Sequence, residues 1–366
     1  MSAYGKGQGK GQGKGQGKGQ GKGQGKGQGL DHAGGESGLD LSDALAAVRD
    51  GLVGFWNGAP SVGAAPPLGT AEDADIDYLT ADIRADLLDS VLAARFGFAG
   101  SAAPTAHLTV DGAASIQLTR PAPEFFRRQL VFLRSYADLR TDRMVEIDVQ
   151  MQDMLSFFGL VGMLNDSRRR YTLELMAAVI RLAVHVEMPL KHFCRSARPM
   201  DYSDRVMPLI QTPSHSSFPS GHAMEAFAAA TVQDRLCRGR AYAPEGLHAL
   251  PYRIAHRIAV NRTVAGVHFP VDSLIGALIG CRLGEDLYRL AHGLAPLPAI
   301  TLDLGLDDGT LLCGRVPISA DEDFTLELLG RLHQPGPDHG AAPCGILGRL
   351  WAKAAAEWPE TAGPEA

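Results

Sequence analysis

From about residue 122 onward, apolar side chains recur at intervals of three and four, the period of a helix that turns one face to a core. The pattern predicts helices over 122–141, 143–163, 167–195, 220–237, 249–263 and 270–292, packed as one bundle with any site built between facing helices. Upstream, helices are expected near 39–55 and 76–96, and a last amphipathic one over 345–358. Alternation with period two marks two other places. Residues 106–118 alternate around Asp111-Gly112, which predicts a β-hairpin. Asp307-Asp308-Gly309 sits between short apolar runs and predicts a second hairpin, whose arms would pair with the first. The expected fold class is therefore mainly α: a helical bundle with minor β-hairpins.

Low complexity changes the picture at the amino end. Residues 5–28 are six repeats of Gly-Lys-Gly-Gln, with nothing apolar to bury, so residues 1–29 are expected to be a disordered tail. No strand precedes these Gly-Lys pairs and no Gly-Lys-Ser/Thr follows, which excludes a phosphate-binding loop. A cationic tail of this kind has some affinity for anionic lipid or polyphosphate. Residues 30–103, rich in Gly, Ala, Asp and Pro, read as a peripheral arm, and 104–366 as the main helical domain.

The 366 residues can bury a large core, and 45% hydrophobic with 21% charged content is ordinary for a globular protein. The formal net charge is −6, and removing the six lysines of the tail leaves a body at −12. An acidic body argues against a nucleic-acid partner. The apolar stretches 174–190 and 273–283 are interrupted by Arg181, His185 and Glu187 or too short to span a bilayer, so no transmembrane span is expected. Five cysteines (194, 237, 281, 313, 344) without paired spacing, behind a polar amino terminus with no secretory signal, point to reduced thiols in the cytoplasm. Cys194 reads as a buried inert thiol.

Three clusters carry the chemistry. The first is Lys191-His-Phe-Cys-Arg-Ser-Ala-Arg198-Pro199, the second Pro219-Ser220-Gly221-His222, the third Arg262-Thr-Val-Ala-Gly-Val-His268-Phe-Pro-Val-Asp272. If the helix before Lys191 continues, Lys191 and Arg198 emerge on one face two turns apart, and Pro199 ends that helix. Ser220 and Gly221 precede an Ala-rich helix whose free N–H groups make an anion seat, with His222 at its mouth. In the third cluster Arg262 closes a helix, Gly266 gives a left-handed exit and Pro270 opens the next helix with Asp272 in its first turn. His268 lies in the break, one ring nitrogen bound to Asp272 and the other exposed. Three fixed cations, an anion-binding turn and two histidines suit a tetrahedral oxyanion. His215 is read as lining the loop, and His185, His192 and His256 as packing or surface residues.

The pattern Lys-x6-Arg-Pro, Pro-Ser-Gly-His, Arg-x5-His-x3-Asp resembles the signature of the type 2 phosphatidic acid phosphatase and vanadium haloperoxidase superfamily, over residues 191–272. One position departs: Asn261 stands where the family usually has Ser. The resemblance implies a helical bundle of the acid phosphatase/haloperoxidase type. It implies that Lys191, Arg198 and Arg262, helped by Ser220 and Gly221, bind the oxygens of phosphate or vanadate. His268 would be the nucleophile of a phosphohistidine or the ligand of vanadate, Asp272 its orienting partner, and His222 the acid and base.

Two activities fit. A phosphoric monoester hydrolase needs no cofactor and takes a small phosphorylated or oxyanion ligand. A haloperoxidase needs vanadate. Compact motif spacing, 22 positions from Arg198 to Ser220 and 40 from His222 to Arg262, favours the phosphatase. A non-catalytic phosphate-binding scaffold is the third reading, and bundles of this kind commonly form homodimers.

Overall fold

The computed structural model describes residues 38–60, 68–70, 72, 74–100, 105–238, 248–305, 309–333 and 342–359. The repeats of residues 5–28 lie outside the described residues, as do Asp307 and Asp308 of the second predicted turn. In chain order the elements begin with α1 (Gly38–Leu52), α2 (Ala81–Arg95), β1 (Phe96–Ala99), β2 (Thr105–Val110), β3 (Ala113–Thr119), α3 (Pro123–Arg128), α4 (Leu130–Tyr136) and a 3₁₀ turn (Ala137–Leu139). Next come α5 (Arg140–Gln150), α6 (Leu155–Gly162), α7 (Arg170–Cys194), α8 (Pro199–Tyr202), α9 (Gly221–Arg238), α10 (Leu250–Val264) and α11 (Pro270–Ala291). β4 (Ile300–Asp303), β5 (Thr310–Cys313), β6 (Val316–Ser319), α12 (Leu326–Leu332) and α13 (Gly345–Ala356) follow.

The core is organised around α9, buried from Gly221 to Leu236. Its alanines leave little side-chain volume, so neighbours approach closely. α11 comes nearest, and Gly276, Gly280 and Gly284 recur every fourth residue along the contact. A Cβ at Gly280 would lie 2.3 Å from the Met224 carbonyl oxygen, and one at Gly276 would lie 2.4 Å from that of Ser220. The two helices therefore run backbone against backbone, and Ser220 N donates to Asp272 O at 2.8 Å. α7 and α10 pack on the other faces of α9.

Buried ion pairs clamp the far end. Arg235 Nε donates to Glu285 Oε1 at 3.0 Å, and its guanidinium lies 3.7 Å from the centre of the Tyr288 ring. Ser115 links α11 to the sheet, donating to Asp286 Oδ2 at 2.9 Å and accepting from Arg282 Nε at 3.0 Å.

The main periodic helices form where predicted, with two corrections. The 122–141 and 143–163 stretches are broken into α3, α4, the 3₁₀ turn, α5 and α6. One break has a visible cause: Asp153 Oδ1 accepts from Ser156 N at 3.0 Å, which starts α6 afresh.

The second correction concerns the strands, which are more than minor hairpins. They form one six-stranded sheet in the order β1-β2-β3-β4-β5-β6. The first predicted hairpin is β2–β3, with Asp111 and Gly112 at φ +51° and +78° as a two-residue turn requires. β4 then joins β3 in parallel, Ile116 opposite Ile300, so one of the two arms expected to pair with the first hairpin does so, and β5 pairs with β4 instead. β1 and β6 extend the sheet at its edges.

All five cysteines are free. Among the described residues no helix is long and apolar enough to cross a membrane.

Candidate active site

The three sequence clusters converge at the amino end of α9. Lys191 stands on the last turn of α7, and Arg198 directly precedes α8. Ser220, Gly221 and His222 open α9, Arg262 closes α10, and His268 and Asp272 flank the start of α11. Every side chain among them is at most 4% exposed.

The third cluster folds as the sequence predicts. Gly266 has φ +78°, a conformation that leaves room only for a hydrogen, since a Cβ would stand 2.7 Å from Arg140 Nη2. Pro270 begins α11, and Asp272 Oδ2 accepts from Phe269 N at 2.9 Å and from Ser217 Oγ. The same oxygen lies 3.1 Å from His268 Nδ1.

The first cluster differs from expectation. α7 stops at Cys194, capped by Arg195 at φ +51°, whose N–H donates to Lys191 O at 3.0 Å. Pro199 opens α8 instead of ending α7, because its fixed φ and missing N–H suit a first helical position. Lys191 and Arg198 thus do not share a helix face. The loop before α9 unites them: Lys191 Nζ donates to the carbonyls of Ser216, Ser217 and Pro219, at 3.1, 3.4 and 2.7 Å. Arg198 Nε donates to His215 O at 3.2 Å.

Arg198 also fixes the chemistry of His268. A guanidinium can only donate, and Arg198 Nη1 lies 3.1 Å from His268 Nε2. Nε2 is therefore the unprotonated nitrogen, and Nδ1 carries the hydrogen donated to Asp272. Burial, and then Arg198, push His268 well below the ordinary histidine value, so the ring is neutral at neutral pH.

Arg262 Nη2 donates to Ile147 O at 3.3 Å, while its Nε and Nη1 have no hydrogen-bond partner among the described residues. The same is true of His222 Nε2. Burial, and then Arg262, push His222 well below 6.5. Burial also lowers Lys191 to about 8 and Arg198 and Arg262 to about 10, and raises Asp272 to about 6. Asn261 precedes Arg262, and its Nδ2 donates to Glu146 and Gln150 of α5, both at 2.9 Å. It ties α10 to α5, which accounts for Asn at the departing position.

A cavity of about 880 Å³ reaches Lys191, Arg198 and His215, with Met188, Met200 and Ile210 on its apolar walls. His268, in contact with Arg198, and His222 and Arg262 are all buried. A second cavity of about 800 Å³ adjoins it across Arg195 and Ser196 and contains Arg120, Arg127 and Phe126. Buried donors without partners, beside an unprotonated imidazole nitrogen, are what a tetrahedral oxyanion would occupy.

Sequence reasoning undervalued His215, whose Nδ1 lies 3.2 Å from Arg198 Nη2 and which burial lowers to about 4. It missed Ser217, and it noted Glu187 only as an interruption of an apolar run. Glu225, in the Ala-rich helix, gave no signal beyond being a lone carboxylate on it.

Residues 172–293, which contain all three clusters, match the family model described as the PAP2 superfamily. Decaprenylphosphoryl-5-phosphoribose phosphatases of Mycobacterium tuberculosis, from strains CDC 1551 / Oshkosh and ATCC 25618 / H37Rv, are each 34% identical to the chain over 135 residues. The match spans 37% of this chain and 70% of each relative. With its motifs folded together and a relative matched over most of its length, the chain belongs to the PAP2 superfamily.

Proposed function

We propose that the chain is a phosphoric monoester hydrolase acting through a phosphohistidine on His268, with a small phosphorylated molecule as substrate and no cofactor. The observation that carries the reading is the placement of His268 between Arg198 Nη1, 3.1 Å from Nε2, and Asp272 Oδ2, 3.1 Å from Nδ1, from which a bare Nε2 follows. The naming of both relatives as phosphatases favours hydrolysis.

The phosphoryl group enters by the larger cavity and takes over the Arg198 donors from His268 Nε2. Arg262 Nε and Nη1 and the opening N–H groups of α9 take further oxygens, where charge builds in the transition state. Lys191 acts as a fixed positive charge, since the loop carbonyls hold its hydrogens. His268 Nε2 attacks phosphorus and the ester oxygen leaves with a proton from His222. His222 then takes a proton from the water that cleaves the phosphohistidine. Before an anion enters, His222 is neutral; the anion offsets Arg262 and Lys191 and lets it charge.

The donors also suit vanadate, with His268 Nε2 as its ligand and the cations on its oxygens; bound there it would supply halide oxidation by hydrogen peroxide. Hydrolysis of p-nitrophenyl phosphate, inhibited competitively by vanadate, is the expected result. Vanadate-dependent oxidation of bromide by peroxide overturns the reading in favour of a haloperoxidase, and neither activity leaves a phosphate-binding scaffold.

A further inference from the structure

Two carboxyl groups beneath the site have no part in this mechanism. Glu187 precedes Lys191 by one turn of α7, Glu225 follows Gly221 by one turn of α9, and both are at most 1% exposed. Glu187 presses so closely on Gly221 that a Cβ there would stand 1.9 Å from its Oε2 and 2.7 Å from its Cδ. Glycine at 221 thus admits this carboxyl. Oε2 of Glu187 and both oxygens of Glu225 have no hydrogen-bond partner among the described residues. Two bare carboxylates cannot face each other at a dry helix interface without a heavy desolvation cost, whereas one held proton relieves the repulsion and supplies a donor.

We propose that Glu187 and Glu225 are a proton-sharing pair of positioning residues that sets the charge of the anion seat, so that a phosphate dianion binds only while the pair keeps a proton. The proposal rests on the anion-seat reading above. The charged groups around the pair are Lys191 on α7, Arg198 just beyond it and Arg262 on α10; His222, on the same helix as Glu225, is neutral. Fully ionised, the pair and Asp272 would cancel Lys191, Arg198 and Arg262, three charges against three. One retained proton leaves the seat net positive. Burial raises both groups, and Glu187 raises Glu225 further, in keeping with a held proton. The sign follows: anion affinity is full at low pH and falls as pH rises through the upper titration of the pair. Lys191 loses charge in the same direction, at about 8, so a variant must separate the two.

The test is calorimetric titration of the full chain with sulfate, a dianion that carries no proton near neutral pH, in buffers of different ionisation heat. Wild type should take up protons on binding, and its affinity should fall toward alkaline pH. Glu225→Gln fixes that position as neutral, so it should take up about one proton fewer and hold sulfate roughly tenfold more tightly per pH unit above the upper titration. Glu187→Gln should also lower the proton count while moving the Lys191 limb to lower pH, since Glu187 supports the Lys191 charge. Equal uptake in wild type and both variants, or an affinity loss in Glu225→Gln that is the same at every pH, overturns the proposal. Should Glu225→Gln not fold, zero proton uptake by wild type overturns it equally. Failure of wild type to bind sulfate at any pH instead overturns the anion seat itself.

Discussion

In Asp272→Asn the side chain keeps its shape and loses its charge. Asp272 is fully buried and titrates at about 6 when folded, against 3.8 for an ordinary Asp, because burial outweighs the hydrogen bonds from Ser217 and Phe269 N. A folded value above the unfolded one means that stability is full below about 3.8 and is lost as pH rises through about 6. At 1.36 kcal/mol per pH unit, holding the carboxylate ionised costs about 3 kcal/mol at neutral pH, a figure that already nets the hydrogen bonds against burial. Asn mimics the protonated acid. The variant should therefore gain up to about 3 kcal/mol over wild type above about pH 6, and nothing near pH 4. Turnover should move the other way. The charge-assisted bond to His268 Nδ1 is worth roughly 1.5–3 kcal/mol, so kcat should fall about 10- to 100-fold. Urea unfolding at several pH values, alongside initial rates, measures both effects. A variant less stable than wild type above pH 6, or a stability gap that does not change with pH, refutes the reasoning.

The helix contacts give two more expectations. Gly280→Ala puts a methyl 2.3 Å from the Met224 carbonyl, so α9 and α11 must separate, at about 1–3 kcal/mol in urea unfolding; unchanged stability would contradict the close packing. Glu285→Gln removes the charge opposite buried Arg235 and should cost about 3–5 kcal/mol, with turnover per folded molecule unchanged because the site lies at the other end of α11.

Much of the site could be read from residue order, because its rules are local. His268 and Asp272 meet since a proline-started helix places its third residue against the preceding turn, and Gly266 supplies the left-handed step. What escaped depends on distant partners. Arg195, not Pro199, ends α7, which no propensity of Arg foretells, so the shared helix face for Lys191 and Arg198 was lost. Strands of four residues such as β1 and β6 leave too short a pattern to see, so the single six-stranded sheet escaped even though pairing between its two halves, realised as Ile116 with Ile300, was expected. Gly276, Gly280 and Gly284 read as helix-weakening until α9 is laid against them. Glu187 and Glu225 carry no sequence signal for the same reason: they are buried where α7 meets α9.

The most direct test of the mechanism is to trap the phosphoenzyme in His222→Ala by alkaline quench, which preserves the acid-labile phosphohistidine, after feeding p-nitrophenyl phosphate, whose leaving group needs no acid, and to locate the phosphate by mass spectrometry of peptides kept alkaline. The mechanism predicts one phosphoryl group on the imidazole of His268, accumulating because the base for the second step is gone. Phosphate found on another residue, or burst-phase product release with His268 unmodified, would contradict it.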